Sequence, residues 1–107
     1  MKEYNTEDLN QLAMEIILLA GDCRSLVDDA FNAAKNNKDF DAIKKILKEA
    51  REKITQAHKL QTDVIQNTVL NDRQNVTMLF IHAQDTLMTI NSELFICEHV
   101  LQLFCMK

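Results

Sequence analysis

Apolar residues recur along this chain at alternating three- and four-residue steps, in three blocks. In the first, Leu9, Leu12, Ile16, Leu19, Cys23, Leu26, Ala30 and Ala33 trace one stripe of an α-helix. The block opens at Thr6, a candidate N-cap followed by Glu7 and Asp8, whose charges suit the positive end of a helix dipole. The run KNNKD at 35–39 interrupts it; asparagine tolerates the left-handed conformation that ends a helix where no glycine is available. The second block begins at Asp39, another candidate N-cap. Its stripe is Ile43, Leu47, Ala50, Ile54, Ala57, Gln61, Val64 and Thr68, beside a charged face of Lys44, Lys45, Lys48, Glu49, Arg51, Glu52 and Lys53. NDRQN at 71–75 reads as the second connection. In the third block Phe80, Leu87, Leu94 and Leu101 take one stripe position, and Ala83, Ile90, Cys97 and Phe104 the other. The pattern predicts a single all-α domain over residues 1–107, with helices at about 6–35, 39–70 and 76–105. Each helix supplies one apolar stripe, and short connections make neighbours antiparallel. The expected fold is an up-down-up three-helix bundle.

Composition narrows this further. The chain contains one glycine and no proline, which disfavours a β-sandwich or barrel built on frequent turns. Apolar residues are 47% of the chain, enough for a core without a disordered composition. A net charge of −4 argues against nucleic acid and anionic membrane surfaces as partners. No uncharged apolar run approaches the ~20 residues of a membrane span. The cysteines, Cys23, Cys97 and Cys105, are odd in number and form no CxxC, and the opening MKEYNTEDLN is polar. The expectation is three reduced thiols in a cytoplasmic protein.

The third block carries a second apolar face. Ile81, Met88, Phe95, Ile96 and Leu103 lie away from its core stripe, with Met78 nearby, and Asp85, Glu93 and Glu98 are the only formal charges between Arg73 and Lys107. A helix apolar all round is normally covered all round, yet a three-helix bundle leaves one face of each helix outside. Self-association through this helix is the simplest cover. The first helix adds a smaller apolar surface, Met14, Ile17 and Leu18, next to Gly21 and Ser25, whose small size would let another chain approach. Asp85 falls in the middle of the second face. A carboxylate there needs a partner or a metal. In a cyclic oligomer, identical Asp85 side chains would converge near the axis, and a cation such as Mg²⁺ would relieve their repulsion.

His82 stands three residues before Asp85, on the same side of the helix. Imidazole ordinarily titrates near ~6.5, so neutral imidazole can serve as base, metal ligand or nucleophile. No HExxH, glycine-rich phosphate loop or nucleophile at triad-like spacing accompanies it. On chemistry alone a His-x-x-Asp pair is a weak signal, and it reads more simply as two satisfied polar side chains than as a catalytic site. His58, beside the second stripe, could face the third helix, and His99 continues the spacing of Asp85 and Ser92; both read more simply as polar residues than as ligands. No Arg or Lys lies near His82 in the sequence.

Three segments, AGDCRS (20–25), EAREKITQAHKLQT (49–62) and HAQDTLMT (82–89), have the order and spacing of one family. From about Asp8 to Phe104 the chain resembles the lactose/cellobiose-specific enzyme IIA family of the bacterial phosphoenolpyruvate-dependent sugar phosphotransferase system. The resemblance implies a homotrimer packed through the third helices, acting as a histidine phosphocarrier. The phosphoacceptor would be His82, with Gln84 and Thr86 as supporting residues and Thr89 and Gln61 as further candidates. Asp85 would hold Mg²⁺ or another divalent cation on the trimer axis. The donor would be the phosphocarrier HPr. The acceptor would be a cysteine of the cognate enzyme IIB, serving uptake of a β-disaccharide such as cellobiose, lactose or diacetylchitobiose through the membrane enzyme IIC. The sequence departs from the family at Thr86, where a second histidine is usual, and at Cys23, where alanine is usual. A hydroxyl can donate a hydrogen bond but carries no positive charge. Two alternatives accompany this reading: a non-enzymatic helical adaptor or transfer-deficient paralogue, and a metal-binding bundle using His82, Asp85 and His99.

Overall fold

The computed structural model describes residues 4–37, 39–70 and 77–105, the side chains of 67–70 excepted. The described residues contain three helices and no strand: α1 (Thr6–Lys35), α2 (Phe40–Leu70) and α3 (Met78–Cys105). A 30-residue helix is about 45 Å long. The described chain measures 54 × 19 × 17 Å, so the helices lie side by side.

Local chemistry sets the helix ends. The α1 N-cap is Asn5, not the expected Thr6. Asn5 Oδ1 accepts the Asp8 N–H at 2.7 Å, and Asp8 Oδ2 accepts the Asn5 N–H at 3.2 Å. This reciprocal box needs an acceptor and a carboxylate three residues apart, which Asn5 and Asp8 supply, so Thr6 becomes the first helical residue. At the other end Asn37 takes the left-handed conformation, with φ 59°, as the asparagines of KNNKD suggested. Asp39 caps α2 by accepting the Ala42 N–H at 2.8 Å. Thr77 caps α3 through the Phe80 N–H at 3.1 Å. Val76, where the third helix was expected to begin, lies outside the described residues.

The core is one apolar column between the helices. On α2 the buried residues are those of the expected stripe, from Ile43 through Gln61 to Val64; Thr68 lies outside the described side chains. On α3, Phe80, Ala83, Leu87, Ile90, Leu94, Cys97 and Leu101 are buried, but Phe104 is 55% exposed. Phe104 sits at the last turn of α3, beside Phe31 and Ala34 at the end of α1, where the bundle runs out of covering residues.

The stripe on α1 is shifted. Leu9, Ile16, Cys23 and Ala30 are buried as expected, but their partners are Ala13, Ala20, Val27 and Ala34. Leu12, Leu19, Leu26 and Ala33 are only partly buried, packed against the margin of the core. The cause is that α1 packs against both other helices, more extensively than these pack against each other. The centre of a surface flanked on two sides takes alanine, which allows close approach, while the leucines cover the edge. Leu19, for instance, shares a groove with Gln56, Lys59, Leu60 and Asp63 of α2.

Polar contacts join the outer edges. Arg51 of α2 donates to Glu98 Oε1 at 2.6 Å and to Asn91 Oδ1 at 3.1 Å on α3. Lys53 lies 4.0 Å from Asp22 across α1 and α2. His58 is exposed. The second face of α3 is bare in the single chain: Met78, Ile81, Met88, Phe95, Ile96 and Leu103 are all exposed, Leu103 to 74%. No described helix is long and apolar enough to cross a membrane.

Candidate functional site

The site forms where one flank of α3 meets α1. His82, Thr86, Thr89 and Glu93 follow each other at four, three and four residues, so they line a single ridge of α3 beside the buried stripe. Arg24 of α1 stands against this ridge. Its Nε donates to Glu93 Oε1 at 2.9 Å and its Nη2 to Glu93 Oε2 at 2.6 Å, a two-point pairing between planar groups. The hydrogen bonds from Arg24 hold the Glu93 carboxyl below its ordinary range, with the guanidinium charge adding to the effect and partial burial opposing it. The pairing thus favours the ionised form of Glu93.

Arg24, His82, Asp85, Thr86 and Thr89 line a shallow cleft of about 240 Å³. His82 is exposed at this cleft. Thr86 spends its hydroxyl proton inside the helix, donating to the His82 carbonyl at 2.9 Å. Its oxygen lone pairs remain available as acceptors, and it can donate to a ligand only by releasing that bond. Gln84 is half-buried and does not line the cleft. Gln61 is buried in the α2 stripe, away from the cleft, and Thr89 lies in it.

The cation is the residue that sequence reasoning missed. No Arg or Lys neighbours His82 along the chain, but Arg24 reaches the cleft from α1. The available signal was its place in AGDCRS, directly after the buried Cys23. That signal points to α3 only once the packing face of α1 is known.

Asp85 lies next to His82 but on the outer side, in the row Met78, Ile81, Asp85, Met88, Ser92, Phe95. Its carboxylate has no ion-pair partner among the described residues. Nor do the described residues of one chain bring together three His, Cys, Asp or Glu side chains able to hold a metal. His99, the third member of the alternative metal set, instead has Nδ1 2.9 Å from the Phe95 carbonyl oxygen and its ring 4.4 Å from the Phe95 ring.

Comparison with known proteins bears on this arrangement. Residues 11–105 match the family described as PTS system, Lactose/Cellobiose specific IIA subunit. The lactose-specific EIIA component of Staphylococcus epidermidis is 34% identical over 100 residues, covering 94% of this chain and 95% of that protein. The lichenan-specific phosphotransferase enzyme IIA component of Bacillus subtilis is 34% identical over 98 residues, covering 92% and 88%. The N,N′-diacetylchitobiose-specific EIIA component of Escherichia coli is 35% identical over 87 residues, covering 81% and 74%. Among solved structures, PtcA from S. mutans superposes with a TM-score of 0.86 at 34% identity, over 94% of this chain and 98% of that one. The cellobiose-specific enzyme IIA of Bacillus anthracis gives 0.81 at 29% identity, over 94% and 90%. Sequence and fold thus agree over nearly the whole length, and the chain belongs to the lactose/cellobiose-specific IIA family of the sugar phosphotransferase system.

Proposed function

We propose that this chain is a cytoplasmic phosphotransferase component that carries phosphate on His82, taking it from phospho-HPr and passing it to a cysteine of enzyme IIB. The sugar served through enzyme IIC would be a β-disaccharide of the lactose, cellobiose or diacetylchitobiose type. The observation that carries this is the exposed imidazole of His82 in a cleft shared with the hydroxyl residues Thr86 and Thr89. A lone pair on an imidazole nitrogen forms the N–P bond in line as the bond from phosphorus to the donor breaks. The N–P bond then breaks as the enzyme IIB sulfur attacks. Such transition states are loose, so the protein contributes position and charge more than covalent chemistry.

The assembly proposed with it is a homotrimer of up-down-up bundles joined through the outer faces of α3. The helix order is supported by contacts at two levels: Phe31 and Ala34 at the end of α1 lie beside Leu101 and Phe104, whereas Glu15 to Asp22 in its middle lie beside Gln56 to Asp63. The association is supported by the exposed row from Met78 to Leu103. Gly21 adds to this. A Cβ there would meet no atom within 4 Å in the single chain, so packing within the chain does not demand its smallness. Asp85 fits a hard divalent cation such as Mg²⁺, since a carboxylate supplies oxygen donors. One chain offers too few donors, so the metal would be shared between Asp85 side chains of several copies, and its chemistry would be to neutralise them.

The test is labelling with radioactive phosphoenolpyruvate, enzyme I and HPr. The wild-type chain is expected to take label and His82→Ala to take none; full labelling of His82→Ala would refute the assignment. A wild-type chain that stays unlabelled while remaining oligomeric would leave the adaptor reading. For the assembly, Met88→Glu and Phe95→Glu are expected to dissociate the oligomer in sedimentation equilibrium, and an unchanged mass would exclude this face.

A further inference from the structure

We infer that Arg24 is the cation that meets the phosphoryl group on His82, and that Glu93 is the residue that positions it; this rests on the phosphocarrier reading above. Arg24 and His82 line the same cleft although they come from different helices. The pairing between Arg24 and Glu93 uses one edge of the guanidinium, Nε and Nη2. A guanidinium has five N–H donors in a rigid fork. The other edge, both hydrogens of Nη1 and the second of Nη2, carries no hydrogen bond among the described residues. Glu93 thus fixes the plane of the group while leaving free the edge that can take two oxygens of a phosphoryl group.

The pairing is two-pointed, but its exposure to solvent limits what it adds to stability. The side chains of Arg24 and Glu93 are 56% and 40% exposed, and ion pairs in that setting contribute little. Packing does not call for Arg24 either, since it is exposed beside the buried stripe. Its other neighbours in the cleft are the hydroxyls of Thr86 and Thr89, the carboxylate of Asp85 and the imidazole. When phosphoryl oxygens arrive, Arg24 is the permanently charged cation at hand. Glu93 also tempers that charge. A carrier must release what it binds, and a guanidinium half-neutralised by a carboxylate holds phosphate less tightly than a bare one. No proton moves in this role: Arg24 stays charged while the N–P bond forms and breaks.

The experiment loads wild type, Arg24→Gln, Arg24→Lys and Glu93→Gln from phosphoenolpyruvate through enzyme I and HPr. It follows the phosphohistidine by ³¹P NMR across pH and measures the transfer rate from phospho-HPr. Circular dichroism checks that each variant is folded. In Arg24→Gln the second ionisation of the phosphoryl group is expected about one pH unit higher than in wild type, because an adjacent cation favours the dianion. Transfer is expected to slow by about tenfold, less than the roughly hundredfold or more lost with a donor in a water-excluded site, because this cleft is open to solvent. Arg24→Lys keeps the charge without the fork and should recover part of both effects. Glu93→Gln should slow transfer less than Arg24→Gln does. A labelled wild type whose phosphoryl titration and transfer rate are matched by Arg24→Gln overturns the role of Arg24 and leaves the phosphocarrier reading intact. A wild type that takes no label at His82 overturns both.

Discussion

The phase of α1 can be tested by placing one lysine at each of two adjacent positions. Ala20 is fully buried, whereas Leu19 lies at the margin against α2. Ala20→Lys forces an ammonium and four methylenes into the close-packed centre. An unpaired buried charge costs several kcal/mol after relaxation, and overpacking adds about 1–3 kcal/mol, for a total on the order of 5 kcal/mol. A domain of this size has about 5–15 kcal/mol in all, so the variant should be close to unfolding. Leu19→Lys instead gives up part of the roughly 1.5–3 kcal/mol that a fully buried leucine contributes, while the lysine stem keeps some contact and its head reaches water. The expected cost is about 1–2 kcal/mol. With each kcal/mol worth about 4–8 °C, the two melting midpoints should differ by about 12 °C or more, Ala20→Lys being the lower. The comparison is stringent because both variants gain the same charge and only Leu19→Lys loses a large apolar group. Urea and thermal unfolding followed by far-ultraviolet circular dichroism, at one protein concentration because self-association shifts the midpoint, provide the measurement. If Leu19→Lys proved the more damaging, the leucine-based stripe would be the true core face and the observed packing of α1 would be wrong.

Three further outcomes are expected. Burial pushes the Cys23 and Cys97 thiols up from 9.0 to about 11, while Cys105 is only partly buried. Near pH 8 a thiol reagent should therefore react quickly with Cys105 alone and with all three only on unfolding. Because the unfolded thiols ionise first, the stability their burial contributes is intact below about pH 9 and is lost between pH 9 and 11, readable as a falling urea midpoint. Mg²⁺ should raise the melting midpoint of the wild type but not of Asp85→Asn; an equal rise in both would show that Asp85 does not hold the ion. Thr86→His should speed transfer from phospho-HPr by about tenfold, the worth of one added charged hydrogen bond, and an unchanged rate would place position 86 out of reach of the phosphate.

The three helices differ in how openly they declare their faces. On α2 the charged residues leave one apolar stripe, so pattern and structure agree residue by residue from Ile43 to Val64. On α3 the core stripe is readable, but the rest of the helix is apolar too, and the pattern alone does not say what covers Ile81, Met88 and Phe95. The α1 stripe misleads for a physical reason. Ranking by hydrophobicity favours Leu12, Leu19 and Leu26, yet the centre of a helix clasped by two others is limited by distance, and small residues win there. Ala13, Ala20 and Ala34 are the result. The capping box makes a similar point in miniature: Asn5 outcompetes Thr6 because Asp8 stands three residues after it.

The same shift decides how much of the site could be seen. His82, Asp85 and Thr86 lie within five consecutive residues, so their grouping needs only a helix. Arg24 is 69 residues from its partner Glu93, and whether it meets α3 depends on the rotation of α1. At 3.6 residues per turn, Arg24 lies roughly 70° from the centre of the observed core face but roughly 120° from the centre of the leucine-based one. In the second case it would point to solvent, and the absence of a cation around His82 would follow. In the first it sits on the margin beside α3, within reach of Glu93 and the cleft. The lysine pair at positions 19 and 20 is therefore also a test of the site. If the alanine phase holds, Arg24 shares the cleft with His82. If it fails, the cleft loses its cation, and the proposed phosphoryl transfer would rest on His82 and its hydroxyl neighbours alone.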